Sequence, residues 1–261
     1  MNVDQWGELI SRICETVDRV HAANPVPKSI QTKEALDYVS QLDLQCQDET
    51  VALLADLCPG HTVLGEEGVG DTIGFEGGDT WLVDPLDGTS NFVFGIPFYS
   101  YSIALVSHGK VTAALVYDPL RKEVFEALAG SGARMNGRPL VARENRSDFV
   151  AVSSGAMLSL AESAPNLIVR LREKSKFRLL GSQALQLCYV AAGRLQACIS
   201  REAKLWDDIA GAFVVEEAGA VYRNRAGVEM TNLAILSAQT NMRSVAAASY
   251  DQLYSDVLEF L

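Results

Sequence analysis

A stretch of twelve residues, Trp-Leu-Val-Asp-Pro-Leu-Asp-Gly-Thr-Ser-Asn-Phe at positions 81–92, constrains this chain most. Three apolar residues are typical of the end of a buried strand, and the small polar residues at its end favour a helix start. Pro85 pushes Asp84 towards an extended conformation, and Gly88 permits a turn that other residues resist. We therefore expect Asp84 and Asp87 on one rim, facing the same space as the N–H groups of residues 88–91. With hard divalent cations this place binds phosphate; without them it is an acidic turn beside a helix cap.

The composition excludes several classes of protein. The 261 residues are 48% hydrophobic and 21% charged, which is ordinary for a soluble globular chain. No segment reaches the roughly 18 consecutive apolar residues of a membrane span, and the N-terminus does not resemble a signal peptide. Five cysteines without a C-x-x-C pair predict buried thiols in a reducing compartment, so we expect a cytoplasmic protein. The net charge of −11 argues against a general nucleic-acid surface, and phosphate binding would need local cations.

Hydrophobic periodicity predicts two halves of different character that meet near residue 140. The first, 1–140, carries an antiparallel sheet and the main motif, and in the second, 141–261, strands alternate with helices. Helices are predicted up to residue 23 and over 43–57, 160–172, 184–191, 206–218 and 249–261. Strands are predicted over 62–64, 81–83, 99–106, 111–117, 123–128, 149–153, 196–200, 220–222 and 233–237. Residues 24–36 are expected to form a mobile loop or loose hairpin, and residues 68–78 a flexible excursion.

Three segments together resemble the signatures of the inositol monophosphatase superfamily: Gly65-Glu66-Glu67, residues 84–89, and Trp206-Asp207. The likeness extends through residues 90–92, 95–98, 136–137 and 181–182, and so covers nearly the whole chain. The superfamily consists of magnesium-dependent, lithium-sensitive phosphomonoesterases. The resemblance implies a layered αβαβα sandwich of α+β or α/β class, the sugar-phosphatase fold shared with fructose-1,6-bisphosphatase, and a homodimer. It also implies a small phosphomonoester as substrate. The net charge and the lack of a long apolar segment predict no direct nucleic-acid partner and no membrane partner.

The resemblance assigns metal ligands residue by residue. Asp84 would bridge two Mg²⁺ ions, with Glu66 on the first and Asp87 and Asp207 on the second, and the Leu86 carbonyl would complete part of the shell. By itself, Asp207 at the start of a helix is equally well an ordinary N-terminal cap.

The resemblance also implies the catalytic groups of a two- or three-metal hydrolysis by metal-activated water. Thr89, with Asp43 or Glu66, would position the water. If a third metal binds, Asp43 would lie beside it. An Asp43 that is only the cap of a helix would have the same sequence pattern. The N–H groups of Gly88 and Thr89, at the helix start that continues with Ser90, would bind the phosphate oxygens.

The substrate pocket is where the chain departs from the family pattern. Inositol phosphatases of the family carry a Glu six residues before the motif Trp, and this chain has Ser200 there. Gln183 replaces a small residue after the Gly181-Ser182 pair. Arg201 or Lys204 would suit a second anionic group on the substrate, and Glu202 could replace the missing carboxylate. A surface ion pair between Arg201 and Glu202 is the simpler alternative.

Several functions are consistent with these residues. An inositol monophosphate-like substrate is the principal expectation, and histidinol phosphate, fructose 1,6-bisphosphate and 3′-phosphoadenosine 5′-phosphate are the alternatives within the family. Histidinol phosphate would use Glu202 for its amine, and a nucleotide would use Arg201. A different class is a regulatory or binding protein that kept the fold, since some family members are associated with the transcription machinery. The carboxylates at positions 66, 84, 87 and 207 favour the enzyme.

Overall fold

The computed structural model describes residues 1–34, 37–67, 78–142, 147–225 and 242–261. The helices are α1 (Val3–Ala23), α2 (Gln41–Leu57), α3 (Thr89–Val93), α4 (Ser154–Ser163), α5 (Pro165–Lys174), α6 (Gln183–Ala191), α7 (Leu205–Glu217) and α8 (Gln252–Glu259). The strands are β1 (Gln31–Glu34), β2 (Asp37–Val39), β3 (Thr62–Gly65), β4 (Asp79–Asp87), β5 (Ser100–Ser107), β6 (Lys110–Asp118), β7 (Glu123–Leu128), β8 (Ala133–Met135), β9 (Arg138–Pro139), β10 (Phe149–Val152), β11 (Lys176–Arg178), β12 (Ala197–Ser200), β13 (Val221–Asn224) and β14 (Ser244–Ala247).

The strands between residues 62 and 139 form one seven-stranded sheet in the order β3-β4-β5-β6-β7-β8-β9. β3 runs parallel to β4, and every later neighbouring pair is antiparallel, as the sequence predicted. β4 is buried along its length from Thr80 to Asp87, because helices cover both faces of the sheet at this point. The two carboxylates of the motif strand, Asp84 and Asp87, are therefore buried inside the molecule.

The second sheet is mixed and has five strands in the order β11-β10-β12-β14-β13. β10 is parallel to β11 and β12, whereas β14 is antiparallel to β12 and β13. The register pairs Ser200 with Ser244 and Ser244 with Asn224. The last residues of β12 and β13 and the first residue of β14 therefore lie side by side at one end of the sheet.

Burial of apolar surface arranges helices and sheets in five layers. α1 and α2 pack on the outer face of the first sheet, where Trp6 stacks on Trp81 with ring centroids 6.4 Å apart. α6 and α7 fill the space between the two sheets. A Cβ at Gly211 of α7 would lie 2.7 Å from Leu187 Cβ of α6, so only glycine allows this approach. α4, α5 and α8 cover the second sheet, which completes the αβαβα sandwich that the resemblance implied.

Some predicted elements differ from those observed. The single helix predicted over 160–172 is two helices, because Pro165 lacks the N–H that a continuing helix needs and instead begins α5. Within the predicted loop or loose hairpin over 24–36, residues 31–34 form strand β1, paired antiparallel with β2, and residues 35–36 lie outside the described residues. The strand predicted at 233–237 and residues 68–77 of the predicted excursion lie outside the described residues. Among the helices of the described chain, none combines the length and the apolar character needed to cross a bilayer.

Candidate metal centre and active site

A bulge at the end of β4 aims the motif carboxylates. Asp84 pairs with Ser102 of β5 and Asp87 pairs with Ser100. Between these two pairs β4 advances by three residues and β5 by only two, which is the pattern of a β-bulge. Gly88 then turns the chain with φ of +97°. A Cβ at this position would lie 3.1 Å from the Gly181 carbonyl oxygen, so both the backbone angle and the close approach require glycine.

Three carboxylates from three separate segments meet beside this bulge. One oxygen from each of Glu66, Asp84 and Asp207 lies within 4.8 Å of the other two. Glu66 follows β3, and its N–H donates to the Val83 carbonyl at 2.9 Å, which fixes it beside the end of β4. Asp207 lies in the first turn of α7, where its Oδ2 accepts from the Lys204 N–H at 2.7 Å. The cluster therefore combines two residues at the end of the first sheet with one at the start of helix α7, which packs between the sheets.

The electrostatics of this cluster favour a bound cation. Burial, followed by the charges of Glu66, Asp207 and Asp87, raises the pKa of Asp84 well above its usual range. Burial, followed by the charges of Asp87 and Glu66, raises the pKa of Asp207 in the same way. Asp84 Oδ1 accepts from the Leu86 N–H at 3.0 Å, but Asp84 Oδ2 is buried with no hydrogen-bond partner in the described chain.

These residues fit a hard divalent cation. An oxygen-only donor set is the kind that Mg²⁺ prefers, and three carboxylates this close do not all ionise without a compensating charge. The unpartnered Asp84 oxygen is a ligand position that no protein donor of the described residues fills.

The Thr89 hydroxyl connects the motif to helix α2. Thr89 Oγ1 lies 2.9 Å from Asp43 Oδ1 and 2.9 Å from the Leu86 carbonyl oxygen. Asp43 is itself held by Ser40, whose N–H and hydroxyl donate to Oδ2 at 2.9 and 2.6 Å. A hydroxyl has one proton to donate, so the lone pairs of Thr89 remain available to accept a hydrogen bond from water. Ser90, the next residue of α3, is exposed.

Asp87 has a role that its sequence motif did not predict. Its Oδ2 accepts from the Ser182 hydroxyl at 2.5 Å and the Ala184 N–H at 2.8 Å, and its Oδ1 accepts from the Gln183 N–H at 3.0 Å. The carboxylate thus caps the N-terminus of α6 from the neighbouring half of the chain. Burial, which these donors offset in part, raises the pKa of Asp87 to about 6. Its assignment as a metal ligand stays a prediction.

A cavity of about 310 Å³ opens next to these acids. Its lining includes Asp87 and Asp207 together with Gly181, Ser200 and Glu202 of the predicted substrate residues. Among the described residues, neither Arg201 nor Lys204 lines it. The sequence alternative of an Arg201–Glu202 ion pair is wrong among the described residues, because Glu202 instead accepts from the Ser153 hydroxyl and the Gly155 N–H.

The sequence predicts Gln183 as a residue of the substrate pocket, but its amide binds a protein carboxylate instead. Gln183 borders the cavity, but its Nε2 donates to Asp208 Oδ1 at 2.6 Å inside the core. Asp208 is fully buried and also accepts from the Tyr222 hydroxyl at 2.5 Å. The longer side chain therefore ties α6 to α7 rather than reaching for a substrate.

Two of these residues, Ser153 and Asp208, were absent from the sequence-based site. Ser153 precedes α4 as its N-cap, and a serine between a strand and a helix is a recognisable signal for that role. Asp208 follows the motif acid directly, but a second Asp in a helix start normally indicates exposure, and its burial follows from partners distant in the chain.

Comparison with known proteins agrees with the geometry. The model of the inositol monophosphatase family matches residues 7–257. The Nus factor SuhB of Pseudomonas aeruginosa is 36% identical over 234 residues, which cover 85% of this chain and 82% of that protein.

Two solved structures have the same architecture. A Thermotoga maritima IMPase superimposes with a TM-score of 0.77 at 26% identity, covering 97% of this chain and 93% of that one. An IMPase/NADP phosphatase complexed with Mg²⁺ and phosphate gives a TM-score of 0.82 at 24% identity, covering 99% and 95%, which is a likeness of fold. Since the family model spans almost all of the sequence and acids from all three motif segments meet in one cluster, this chain belongs to the inositol monophosphatase family.

Proposed function

We propose that this protein is a Mg²⁺-dependent phosphomonoesterase that hydrolyses a small, inositol monophosphate-like metabolite. The observation that carries the proposal is the meeting of Glu66, Asp84 and Asp207 within 4.8 Å, with one buried Asp84 oxygen left without a hydrogen-bond partner among the described residues. A stability role would not favour such a cluster, because packing like charges together in a buried place is costly without a cation.

The chain's own residues would hold and orient the reactants. Thr89 accepts a hydrogen bond from the attacking water and, through its contact with Asp43, holds that water in line with phosphorus. The N–H groups of Gly88 and Thr89 at the start of α3 donate to the phosphate oxygens. The water oxygen then bonds to phosphorus while the bond from phosphorus to the alcohol oxygen breaks, and the alcohol leaves with a proton that originated from water.

Glu66, Asp84, Asp207, the Leu86 carbonyl and Asp87 would hold the cations, two or three per site. When bound, Mg²⁺ lowers the pKa of water and neutralises charge on the transferred phosphoryl group and the leaving oxygen. Lithium sensitivity is part of the same proposal, as is a homodimer. All five cysteines are free, which suits a reducing cytoplasm.

A regulatory role is the second candidate, and one observation favours it: the 36% identical relative from Pseudomonas aeruginosa is named a Nus factor. In that case the protein would act through a protein partner, since a net charge of −11 repels nucleic acid. The two roles can coexist in one chain.

Phosphate release from a set of monoesters with Mg²⁺ tests the proposal. The set holds inositol 1-phosphate, fructose 1,6-bisphosphate, histidinol phosphate and 3′-phosphoadenosine 5′-phosphate, with Asp84→Asn as the control variant. We expect turnover of at least one compound, lowered by about 10³-fold or more in the variant, because the site that would hold the cations loses a carboxylate. Silence of the folded wild type towards every compound would reject the enzyme and favour the regulatory role.

A further inference from the structure

Where β10 and β12 end, the cavity wall carries one carboxylate and small hydroxyls. Glu202 lines the cavity together with Ser153, Ser154 and Ser200. The remaining lining is mixed. It includes apolar residues such as Leu179, which is 58% exposed, and the polar side chains of Asp87, Asn91, Gln183, Gln186 and Asp207. Among the described residues that line this cavity, none is a lysine or an arginine.

Glu202 is an exposed residue whose carboxylate is held at this wall by two hydrogen bonds. Its Oε2 accepts from the Ser153 hydroxyl at 2.5 Å, and its Oε1 accepts from the Gly155 N–H at 2.9 Å. Ser153 is itself fixed, because its hydroxyl oxygen accepts from the N–H groups of Arg201 and Ala156. A carboxylate whose anchors are the start of a helix and a saturated hydroxyl is preorganised to bind a ligand.

The two hydrogen bonds to the Glu202 carboxylate leave some of its acceptor positions free for a ligand. An ionised carboxylate has about four lone-pair positions, and these two donors occupy two of them. The remaining positions suit a hydroxyl or, with a stronger charge-assisted bond, an ammonium group. A second phosphate meets the opposite situation, since it would approach a fixed negative charge without a cation on the described walls.

From this arrangement we infer that Glu202 determines substrate choice: the site takes monophosphates of small hydroxylated alcohols, prefers those with a cationic amine on the leaving group, and disfavours bisphosphates. This inference rests on the proposed phosphatase function and deepens it. It also separates the alternatives that the sequence left open, because it places an amino alcohol phosphate above fructose 1,6-bisphosphate and 3′-phosphoadenosine 5′-phosphate.

The test compares two nearly isosteric substrates. Glycerol 1-phosphate and the monophosphate of 2-aminopropane-1,3-diol differ only in a hydroxyl replaced by an ammonium group. With Mg²⁺, wild-type protein is expected to have a higher kcat/KM for the amine. In Glu202→Gln the ratio of the two kcat/KM values should fall by about tenfold, the size of one charge-assisted hydrogen bond. The change should appear mainly in KM, since Glu202 contacts the leaving group and not the phosphorus.

A matched control comes from another glutamate with a similar local role. Glu217 accepts from the N–H groups of Gly130 and Gly132 at 3.1 and 3.0 Å but does not line the cavity. Glu217→Gln should leave the substrate ratio as in the wild type. Fructose 1-phosphate should also exceed fructose 1,6-bisphosphate in kcat/KM in the wild type, and Glu202→Gln should narrow that difference.

The possible outcomes distinguish a failure of the proposed phosphatase function from a failure of the inference about Glu202. Absence of turnover of either glycerol-type substrate by folded wild type contradicts the proposed function itself. Turnover with a ratio near one, or a ratio that Glu202→Gln leaves unchanged, overturns only the inference. If Glu202→Gln melts at the assay temperature, Ser153→Ala replaces it, since it keeps the charge but releases the anchor. An unchanged ratio in Ser153→Ala would then overturn the inference.

Discussion

Asp84 is only 1% exposed, and its Oδ2 has no hydrogen-bond partner in the described chain. Such an arrangement is unfavourable for an ionised carboxyl, and the raised pKa of Asp84 expresses this cost as a preference for the protonated form. Asp207 shares the preference, for the same reason. In the metal-free protein both groups therefore bind a proton more tightly in the folded than in the unfolded state.

This linkage predicts how the stability of the metal-free protein depends on pH. A carboxyl whose folded pKa lies above its unfolded value of about 4 stabilises the fold less as pH rises through the folded pKa. We expect the free energy of unfolding, measured by urea denaturation in EDTA, to fall between pH 5 and pH 8. Added Mg²⁺ should stabilise the protein more at pH 8 than at pH 5, since cations compete with protons for the same oxygens.

The Asp84→Asn variant identifies the source of this dependence. The amide cannot ionise, so the metal-free variant should lose less stability than the wild type between pH 5 and pH 8 and gain little from Mg²⁺. A variant with the same pH slope as the wild type would show that Asp84 is not responsible.

At the scale of elements, helix α6 is the piece through which the motif strand and α7 are connected. Its N-terminus is capped by Asp87 of β4, and its first side chain, Gln183, donates to the buried Asp208 of α7 at 2.6 Å. Gln183 therefore donates hydrogen bonds to two acids from different parts of the chain, Asp87 through its N–H and Asp208 through its side-chain amide. Losing a donor to a buried carboxylate leaves that carboxylate undersatisfied, which is the costly kind of hydrogen-bond deletion.

Gln183→Leu should consequently destabilise the protein by about 2–3 kcal/mol in urea unfolding. The matched control is Gln186→Leu in the same helix. Its amide contacts the Leu180 N–H and Gln183 Oε1 at 3.3 Å and Cys198 Sγ at 3.8 Å, and none of these groups is charged. That variant should cost roughly 1 kcal/mol. If Gln183→Leu costs no more than Gln186→Leu, the bond to Asp208 does not support the junction in this way.

Elements with a strong local signal could be predicted from the sequence. Strand β7 was predicted with its observed bounds, and β5 and β6 to within a residue or so, because alternating apolar runs are separated by clear turns. The break between α4 and α5 was missed although Pro165 marks it, since the apolar pattern continues across it. Helix periodicity alone does not separate two consecutive helices from one.

The site shows the same division. The turn at Gly88 follows from local residue types, whereas the meeting of Glu66, Asp84 and Asp207 was predicted only through the family resemblance. The inward direction of the Gln183 amide could not be predicted, because its partner Asp208 lies on another helix. Side-chain partners that depend on how layers stack are the part that a single sequence does not reveal.

At the scale of the whole molecule, the two sheets come from successive parts of the chain. The first uses residues 62–139 and the second residues 149–247. The division of the chain into two halves near residue 140 stays a prediction. The carboxylate cluster draws Glu66 and Asp84 from the first part and Asp207 from the second. A molecule with a net charge of −11 that places acids together at such a junction needs cations there before a phosphate can approach.

The most direct test of this account is the Mg²⁺ dependence of phosphate release by wild type and by Asp207→Asn, with inositol 1-phosphate and glycerol 1-phosphate as substrates. We predict release that saturates with Mg²⁺ in the wild type. In the variant, with its folding verified by circular dichroism, we predict a Mg²⁺ requirement raised by about tenfold or more and a strongly reduced maximal rate. Phosphate release that is independent of Mg²⁺, or identical in the two proteins, would contradict a metal centre assembled from both parts of the chain.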